Sequence, residues 1–418
     1  MLRVFETFSG IGAQAKALRN IGADFEVVAT ADWDIMAIIA YDFIHNGSPN
    51  LKKYEKMSRR ELLDRVDGLT LSNDGKKPAT KKAIRTLSKN TLVRLCAAID
   101  RTNNLVSVTD IHGKDLPKGT NLLTYSFPCQ DLSLAHSWHG ETGGINRDAG
   151  NRSSMLWEIE RILKECKNGE KELPKYLLME NVAAILNDKH RKNFSDWQNS
   201  LRNMGYYNKV YKLRSSNFGS VQDRERAYMI SILTNNDLKM ESELDEFFKK
   251  NDLAKKRIKT KKLLEEILRL DYDDPVIFKE AEMSCPNDTP SRRAIYENNV
   301  KLYDEKGNYA SIVRTVTTKQ DRHPNSGVIY YESSRVGASS FRYLTPRECL
   351  LLMGFSDDDY ERIINNNFSR RDNNMSEPFF TCSKIVKMAG NSIVVNVLEE
   401  VFRQIIKIDN DIMNKNGK

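Results

Sequence analysis

The chain has 418 residues, 40% of them hydrophobic and 29% charged, a composition that builds a sizeable core and excludes disordered, collagen-like and membrane-embedded chains. Its formal net charge of +8 suits a polyanionic partner, though many soluble proteins share such a balance. The cysteines Cys96, Cys129, Cys166, Cys285, Cys349 and Cys382 form no CxxC pair and no Cys/His zinc spacing, so we expect a reduced compartment, no disulfide framework and no metal. The opening MLRVFETFSGIGA carries no signal-type apolar region, and no apolar run is long enough to cross a membrane; a cytoplasmic protein is expected.

Leu2–Phe8 reads as a strand, Ser9-Gly10-Ile11-Gly12 as a tight turn and Ala13–Asn20 as a helix. Phe25–Thr30 is a second strand closing on Ala31-Asp32-Trp33-Asp34, and Ile35–His45 has helical spacing. Strand, glycine turn, helix, strand and acidic residue is the layout of a nucleotide-type cofactor site. From about Gly47 to Asn104 a Lys/Arg-rich stretch breaks this rhythm, with helices expected around Ser58–Val66 and Lys81–Thr102. It reads as an insertion, either a solvated decoration or a DNA contact.

Leu105–Val108 is expected as a third strand, ending at Thr109-Asp110-Ile111. Leu122–Tyr125 is a short buried strand stopped by Pro128, so that Cys129 sits where the chain leaves a sheet edge. Leu134–Asn151 reads as a mobile polar loop, Ser154–Lys167 as an amphipathic helix, and Tyr176–Met179 as a strand delivering Glu180-Asn181-Val182. Phe194–Met204 reads as a helix, and Lys209–Leu213 and Ala227–Leu233 as strands flanking Gln222-Asp223-Arg224-Glu225-Arg226. The alternation predicts an α/β fold with a doubly wound, mostly parallel sheet. After Thr234 the pattern changes, and residues 235–340, with the basic run Lys255–Lys262, read as a second, smaller domain. Pro346 then stands near a first helical position, and Gly390-Asn391-Ser392 precedes a long apolar-faced helix.

A thiol at a strand end can act as a nucleophile if a cation or helix start ionises it, or be the small buried hydrophobe that most free cysteines are. Asp32 is placed to accept from ribose hydroxyls, Phe8 and Trp33 offer flat faces for an adenine or a sulfonium, and Asp110 can accept from an adenine amino group. Each acid alone has the ordinary reading of a turn or cap residue; in this order they favour an adenosine-type cofactor. Glu180 is a candidate proton donor to a base under attack, or an ordinary strand-ending acid. Arg224 and Arg226, two apart in an extended run, are expected on one face.

These ordered pieces resemble the motifs of the cytosine-5 DNA methyltransferase family. Phe8-x-Gly10-x-Gly12 resembles its first motif, Asp32-Trp33 and Asp110-Ile111 its second and third, and Phe127-Pro128-Cys129-Gln130 its catalytic loop. Ser153–Leu163 is similar to the helix after its mobile loop, Glu180-Asn181-Val182 to its ENV motif, and Gln222-x-Arg224-x-Arg226 to its QxRxR motif. Arg342–Phe355 and Gly390-Asn391-Ser392 are similar to its ninth and tenth. Glu6, Ala13 and Met155 depart from the commoner Asp, Gly and Leu.

The resemblance implies an S-adenosylmethionine-dependent methyltransferase fold with a target-recognition domain, organised as 1–234 catalytic, 235–375 target-recognising and 376–418 returning to the catalytic part. It implies methylation of C5 of a flipped-out cytosine through Cys129, with Glu180, Arg224 and Arg226 as catalytic partners. S-adenosyl-L-methionine would be bound by Phe8, Gly10, Ile11, Gly12, Asp32, Trp33, Asp110, Ile111, Pro128, Met155, Asn391 and Ser392. Duplex DNA would be contacted by Gln130, Ser133, Arg314, Thr315, Val316, Lys319, Gln320 and Arg322. A monomer of restriction-modification type is implied, with a cognate restriction endonuclease as a candidate partner and a bacterial or phage-infected cell as its setting. The alternatives are an RNA (tRNA) cytosine-5 methyltransferase on the same fold, a catalytically silent DNA-binding homologue, and a redox or cysteine-hydrolase role for Cys129, which lacks a matching histidine because His136 and His139, though close by, lie in the loop expected to be mobile.

Overall fold

The computed structural model describes residues 1–128, 155–169, 171–259, 263–371 and 374–413. Two compact units emerge: residues 1–213, 225–256 and 398–418, and residues 214–224 and 257–397.

The first unit is built on a six-stranded sheet. Its strands are β1 (Leu2–Thr7), β2 (Phe25–Ala31), β3 (Leu122–Tyr125), β4 (Tyr176–Val182), β5 (Tyr206–Arg214) and β7 (Glu225–Leu233), with β6 (Gln222–Asp223) lying elsewhere. The order is β2-β1-β3-β4-β7-β5. Pairings β1–β2, β1–β3 and β3–β4 are parallel and β4–β7 is antiparallel. All four residues of β3 are buried, as a parallel strand covered on both faces must be. The chain steps from β1 to β2 on one side and resumes with β3 on the other. The crevice at the carboxyl ends of β1 and β3 is therefore the switch point where ligands of such sheets bind.

Helix α1 (Ala13–Asn20) follows β1, and α2 (Ile35–Asn46) follows β2 behind an Asp34 N-cap that accepts from Met36 N. Ten of the twelve α2 residues are buried, because its outer side is covered by the insertion. The insertion holds α3 (Lys52–Glu55), α4 (Arg59–Val66), α5 (Lys81–Arg85) and α6 (Lys89–Thr102), and α6 packs along α2. Arg101 of α6 pairs with Asp42 of α2 at 2.9 Å; burial pushes the Asp42 carboxyl up to about 6. The single helix expected over Lys81–Thr102 is two, because Ser88 caps a new start by accepting from Thr91 N. Helices α7 (Leu156–Asn168), α8 (Asp188–Asn203) and α9 (Leu238–Lys250) also belong to this unit.

The strand expected at Leu105–Val108 does not form. Asn104 makes one bridge to Thr30, its side-chain oxygen accepts from Val106 N at 2.6 Å, and Val106 takes φ +64°. This local turn competes successfully with the sheet.

In the second unit α10 (Leu264–Ile267), α11 (Pro275–Ser284) and α12 (Pro290–Asn298) precede a small sheet of β8 (Lys301–Tyr303), β10 (Val328–Tyr330) and β11 (Phe341–Arg342). Strand β9 (Val313–Arg314) pairs with β6, which draws residues 214–224 into this unit. Helices α13 (Pro346–Leu352) and α14 (Asp357–Asn365), the hairpin of β12 (Ser369–Arg371) and β13 (Asn374–Pro378), and α15 (Cys382–Asn391) follow. Its core holds a fully buried two-pronged ion pair, Arg342 with Glu348, both contacts 2.8 Å. Glu348 also closes a capping box with Thr345 at the start of α13, so the charges have a full set of partners.

Residues 235–256 stay with the first unit, where Tyr207 stacks on Phe248 of α9 and Arg202 pairs with Glu241. From helix α16 (Val395–Ile408) only residues 398 onward rejoin it. Among the described residues no helix is long and apolar enough to cross a membrane.

Candidate active site

The turn after β1 is left-handed at alternate residues: Phe8 φ +53°, Gly10 φ +54°, Gly12 φ +77°. The two glycines serve different ends. A Cβ on Gly12 would lie 2.1 Å from His45 Nε2 and 2.6 Å from the Tyr41 ring, so glycine is a packing requirement there. A Cβ on Gly10 would meet nothing within 4 Å; the backbone is bare toward open space, where a ligand can approach. Phe8 has a side chain and still adopts this conformation, at a cost of about 1–3 kcal/mol that surrounding structure must offset. Beneath the turn, Glu6 is fully buried. Burial pushes its carboxyl up to about 8, against the opposing pull of the Tyr41 hydroxyl, the Ala15 backbone and Arg19.

Asp32 holds the turn in place. Its Oδ2 accepts from Gly10 N at 2.8 Å and its Oδ1 from Asp34 N at 2.9 Å. Trp33 is half-buried beside it and Ile11 is buried. Asp110 is exposed, its Oδ1 accepting from the Thr109 hydroxyl, while Ile111 is buried. Met155, just ahead of α7, and Phe8 pack against one common core cluster.

Three residues of this region carried no sequence signal of function. Ser72, from the insertion, pairs its backbone with the turn between β2 and α2: Ser72 N donates to Trp33 O at 2.7 Å and Ile35 N to Ser72 O at 3.0 Å. The Asn104 side chain accepts from both Asp32 N and Val106 N, joining the segments of Asp32 and Asp110. Arg161 of α7 donates to Val108 O and Ile111 O, which fixes the segment bearing Asp110. Only three-dimensional pairing reveals these contacts, although Ser72-Asn73-Asp74-Gly75 is a turn signature.

At the end of β3, Ser126 and Pro128 are half-buried and Phe127 is buried. Ser126 Oγ donates to Phe8 O at 3.4 Å, and Asn181 Nδ2 donates to Phe127 O at 3.0 Å. The segment leading to Cys129 is thus held by the glycine turn on one side and by the Glu180-Asn181-Val182 strand end on the other. Cys129, Gln130, Ser133 and the loop 134–151 lie outside the described residues. Glu180 on β4 and Arg226 on β7 meet at 3.4 Å with little exposure, 11% and 17%. The register pairs Val182 with Arg226 and Glu180 with Tyr228, so the ion pair is a diagonal one across adjacent strands.

Arg224 does not share a strand with Arg226. Strand β6 ends at Asp223, and Arg224 belongs to the second unit, where its guanidinium donates to Val316 O, Gly390 O and Ser392 O at 2.8, 2.9 and 3.2 Å. The flanking strands pair differently, Gln222–Asp223 with β9 and Arg226 with Val182 of β4. Gln222 works alongside, donating to Leu352 O and accepting from Val316 N. Thr315 Oγ1 donates to Asp223 O. Gly390 allows the close crossing, since a Cβ there would lie 2.4 Å from Thr317 C and Thr318 N.

Among the expected DNA contacts, Arg314, Lys319 and Arg322 are exposed, Thr315 is half-buried and Val316 buried. Gln320 is fully buried, with its amide engaged by Gly327 O and Ser326 N. As a base reader it is corrected to an internal brace of the 320–327 turn. Asn391 is exposed at the end of α15, and Ser392 is half-buried.

An open, mostly parallel sheet with a glycine turn at its switch point and a strand-ending acid gripping that turn defines the class: an α/β methyltransferase fold. A family model of the C-5 cytosine-specific DNA methylases matches residues 2–73 and 76–407. The orphan methyltransferase M.SssI of Spiroplasma monobiae is 32% identical over 409 residues, 97% of each chain. The type II methyltransferase M2.ScrFI of Lactococcus lactis subsp. cremoris is 29% identical over 409 residues, 97% of this chain and 99% of its own. In fold, the crystal structure of the Dnmt2 methyltransferase of S. pombe matches with a TM-score of 0.58 at 18% identity, covering 98% of this chain and 99% of that one. The chain belongs to the C-5 cytosine-specific DNA methylase family, and its activity is that of a DNA cytosine-5 methyltransferase.

Proposed function

We propose that the protein methylates C5 of a target cytosine flipped out of duplex DNA, with S-adenosylmethionine as donor and Cys129 as covalent nucleophile. The observation that carries this reading is the double anchoring of residues 126–127 by Phe8 O and Asn181 Nδ2. It ties the chain leading to Cys129 to both the glycine turn and the strand end that bears Glu180.

The donor site rests on the bare backbone at Gly10, flanked by half-buried Phe8 and Trp33. Phe8, Ile11, Trp33, Pro128 and Met155 supply apolar and aromatic walls, and Asp32 and Asp110 supply carboxylate acceptors for ribose and adenine. When bound, S-adenosylmethionine supplies an electrophilic methyl group.

In the reaction the Cys129 thiolate adds to C6 of the ring, which makes C5 nucleophilic. Glu180 hydrogen-bonds N3 and N4 and stabilises the charge that develops there, and Arg226 holds O2. Once C5 has taken the methyl group, loss of its proton restores the ring double bond and expels Cys129. Arg224 acts at a remove: it holds the Thr315-Val316 segment, which with Arg314, Lys319 and Arg322 would contact DNA.

Purified protein should transfer labelled methyl to duplex DNA and form a covalent adduct with DNA carrying 5-fluorocytosine at the target. Cys129→Ser should abolish both. Transfer to tRNA but not to DNA would replace this reading with an RNA methyltransferase, and normal turnover by Cys129→Ser would remove the nucleophile. Bisulfite sequencing of plasmid from expressing cells gives the target sequence.

A further inference from the structure

Residues 47–104 hold fourteen Lys and Arg against six Asp and Glu, a net +8 equal to the formal charge of the whole chain. The remainder of the protein is therefore neutral in sum, and the insertion alone carries the excess. Side chain-to-backbone ties gather part of this charge at one corner. Arg59, at the start of α4, donates to Arg85 O and to Leu87 O at 3.0 Å, and Lys89 Nζ donates to Glu55 O at 3.0 Å. The end of α3, the start of α4 and the α5–α6 turn thus meet, bringing Lys56, Arg59, Arg60, Arg85 and Lys89 together. Of the acids there, Glu61 is occupied by its capping box with Ser58. Lys56, Arg60 and Arg85 are exposed. Beside α3 an open groove of about 670 Å³ is lined by Ser48, Asn50, Lys52, Lys53, Tyr54 and Arg101.

The character of this surface selects its partner. Among the described residues, none of the large exposed hydrophobic side chains falls within 47–104. Protein partners are usually anchored by apolar or aromatic side chains, and single-stranded nucleic acids by exposed aromatic platforms; Tyr54 is buried here. Dense, mutually repelling cations without an apolar centre fit the regular phosphate rows of a duplex.

We propose that the corner formed by α3, α4 and the α5–α6 turn is an accessory phosphate-contact surface for duplex DNA flanking the target site. The proposal rests on the reading of the protein as a DNA methyltransferase and adds a contact that lies outside its motifs. Such a surface would hold the enzyme on long DNA without reading sequence.

The test is the combined variant Lys56→Ala, Arg60→Ala and Arg85→Ala, which spares Arg59 and Lys89 as structural ties. A control removes equal charge from exposed positions on α8 and α9 with Lys189→Ala, Lys192→Ala and Lys239→Ala. Duplex affinity is measured against salt by fluorescence anisotropy, and methyl transfer is measured on a long duplex and on one holding little more than the target. The corner variant should show a log-affinity against log-salt slope shallower by about 2–3, with affinity for long duplex reduced roughly tenfold or more at low salt. Its kcat on the short duplex should be unchanged. An unchanged slope, an equal effect of the control, or a loss confined to tRNA would overturn the proposal. Wild-type methyl transfer to the short duplex tests the underlying reading separately: failure there, with a flattened slope in the variant, would sink the function and leave the surface.

Discussion

The Glu180–Arg226 pair fixes the direction of the polar edge of the site. The two side chains come from neighbouring antiparallel strands and are nearly buried. Such a carboxylate is held in one orientation, which is what hydrogen bonding to a cytosine edge requires. Glu180→Gln keeps the shape and loses the charge. Its kcat should fall roughly a hundred- to ten-thousand-fold, with duplex affinity largely kept. A variant with near-normal kcat in single-turnover methyl transfer would show that Glu180 is a structural partner of Arg226 only.

Arg161, half-buried, and Arg224, buried, both spend their guanidiniums on backbone carbonyls. Arg161 spans Glu158, Glu165 and the carbonyls of 108–111. Arg161→Ala should raise the KM for the methyl donor roughly tenfold and leave kcat near wild type, because it loosens the segment of Asp110 and not the reacting atoms. Equal losses in kcat and kcat/KM would place it in the chemistry instead.

At the level of elements, what was legible followed a simple physical rule. Strands β1, β2, β3, β4 and β7 and helices α1, α2, α4 and α7 were visible in the sequence, as continuous apolar runs where both faces are covered and as amphipathic stretches where one face is exposed. Leu105–Val108 was equally apolar, yet the Asn104 side chain offered the backbone a better partner than the sheet. The Lys81–Thr102 helix broke at a Ser88 cap that periodicity alone does not weigh. Gln222 to Arg226 looked like one strand and is two, since β6 pairs with β9 from a segment about ninety residues away, a distance no local pattern encodes. Of the candidate site, Phe8, Asp32 and Glu180 stand out in the sequence because each lies at or just past a strand end. Ser72, Asn104 and Arg161 do not, because their contacts exist only through pairing across the fold.

Arg224 shows the energetic side of that β6–β9 join. Removing its guanidinium leaves the carbonyls of Val316, Gly390 and Ser392 without that donor in a buried setting. Arg224→Ala should destabilise the protein by about 2–4 kcal/mol in urea unfolding, since each buried carbonyl that loses its partner carries a penalty. Duplex affinity should fall with it through the Thr315-Val316 segment. A variant of normal stability that loses only kcat would return Arg224 to the catalytic group.

For the whole molecule, a chain that leaves its first unit at 213, returns at 225, leaves again at 256 and returns at 398 cannot be divided by composition alone. The first unit also hides acids that shape stability across pH. Glu6 is buried beneath the glycine turn with its carboxyl pushed from 4.5 up to about 8. The native state therefore binds a proton there that the unfolded chain releases between these values. The stabilising contribution of that proton is complete below pH 4.5 and is lost as pH rises toward about 8. Glu6→Gln removes the titration and keeps nearly the same volume. The stability of wild type relative to Glu6→Gln should thus decline with rising pH, by about 1.4 kcal/mol per pH unit at its steepest, and level off above about 8. Urea unfolding of both proteins across this range measures it directly. A difference independent of pH would mean that Glu6 titrates alike in the folded and unfolded chains. The acid beneath the cofactor turn would then be ionised at neutral pH, and the turn would carry a buried charge under its open face.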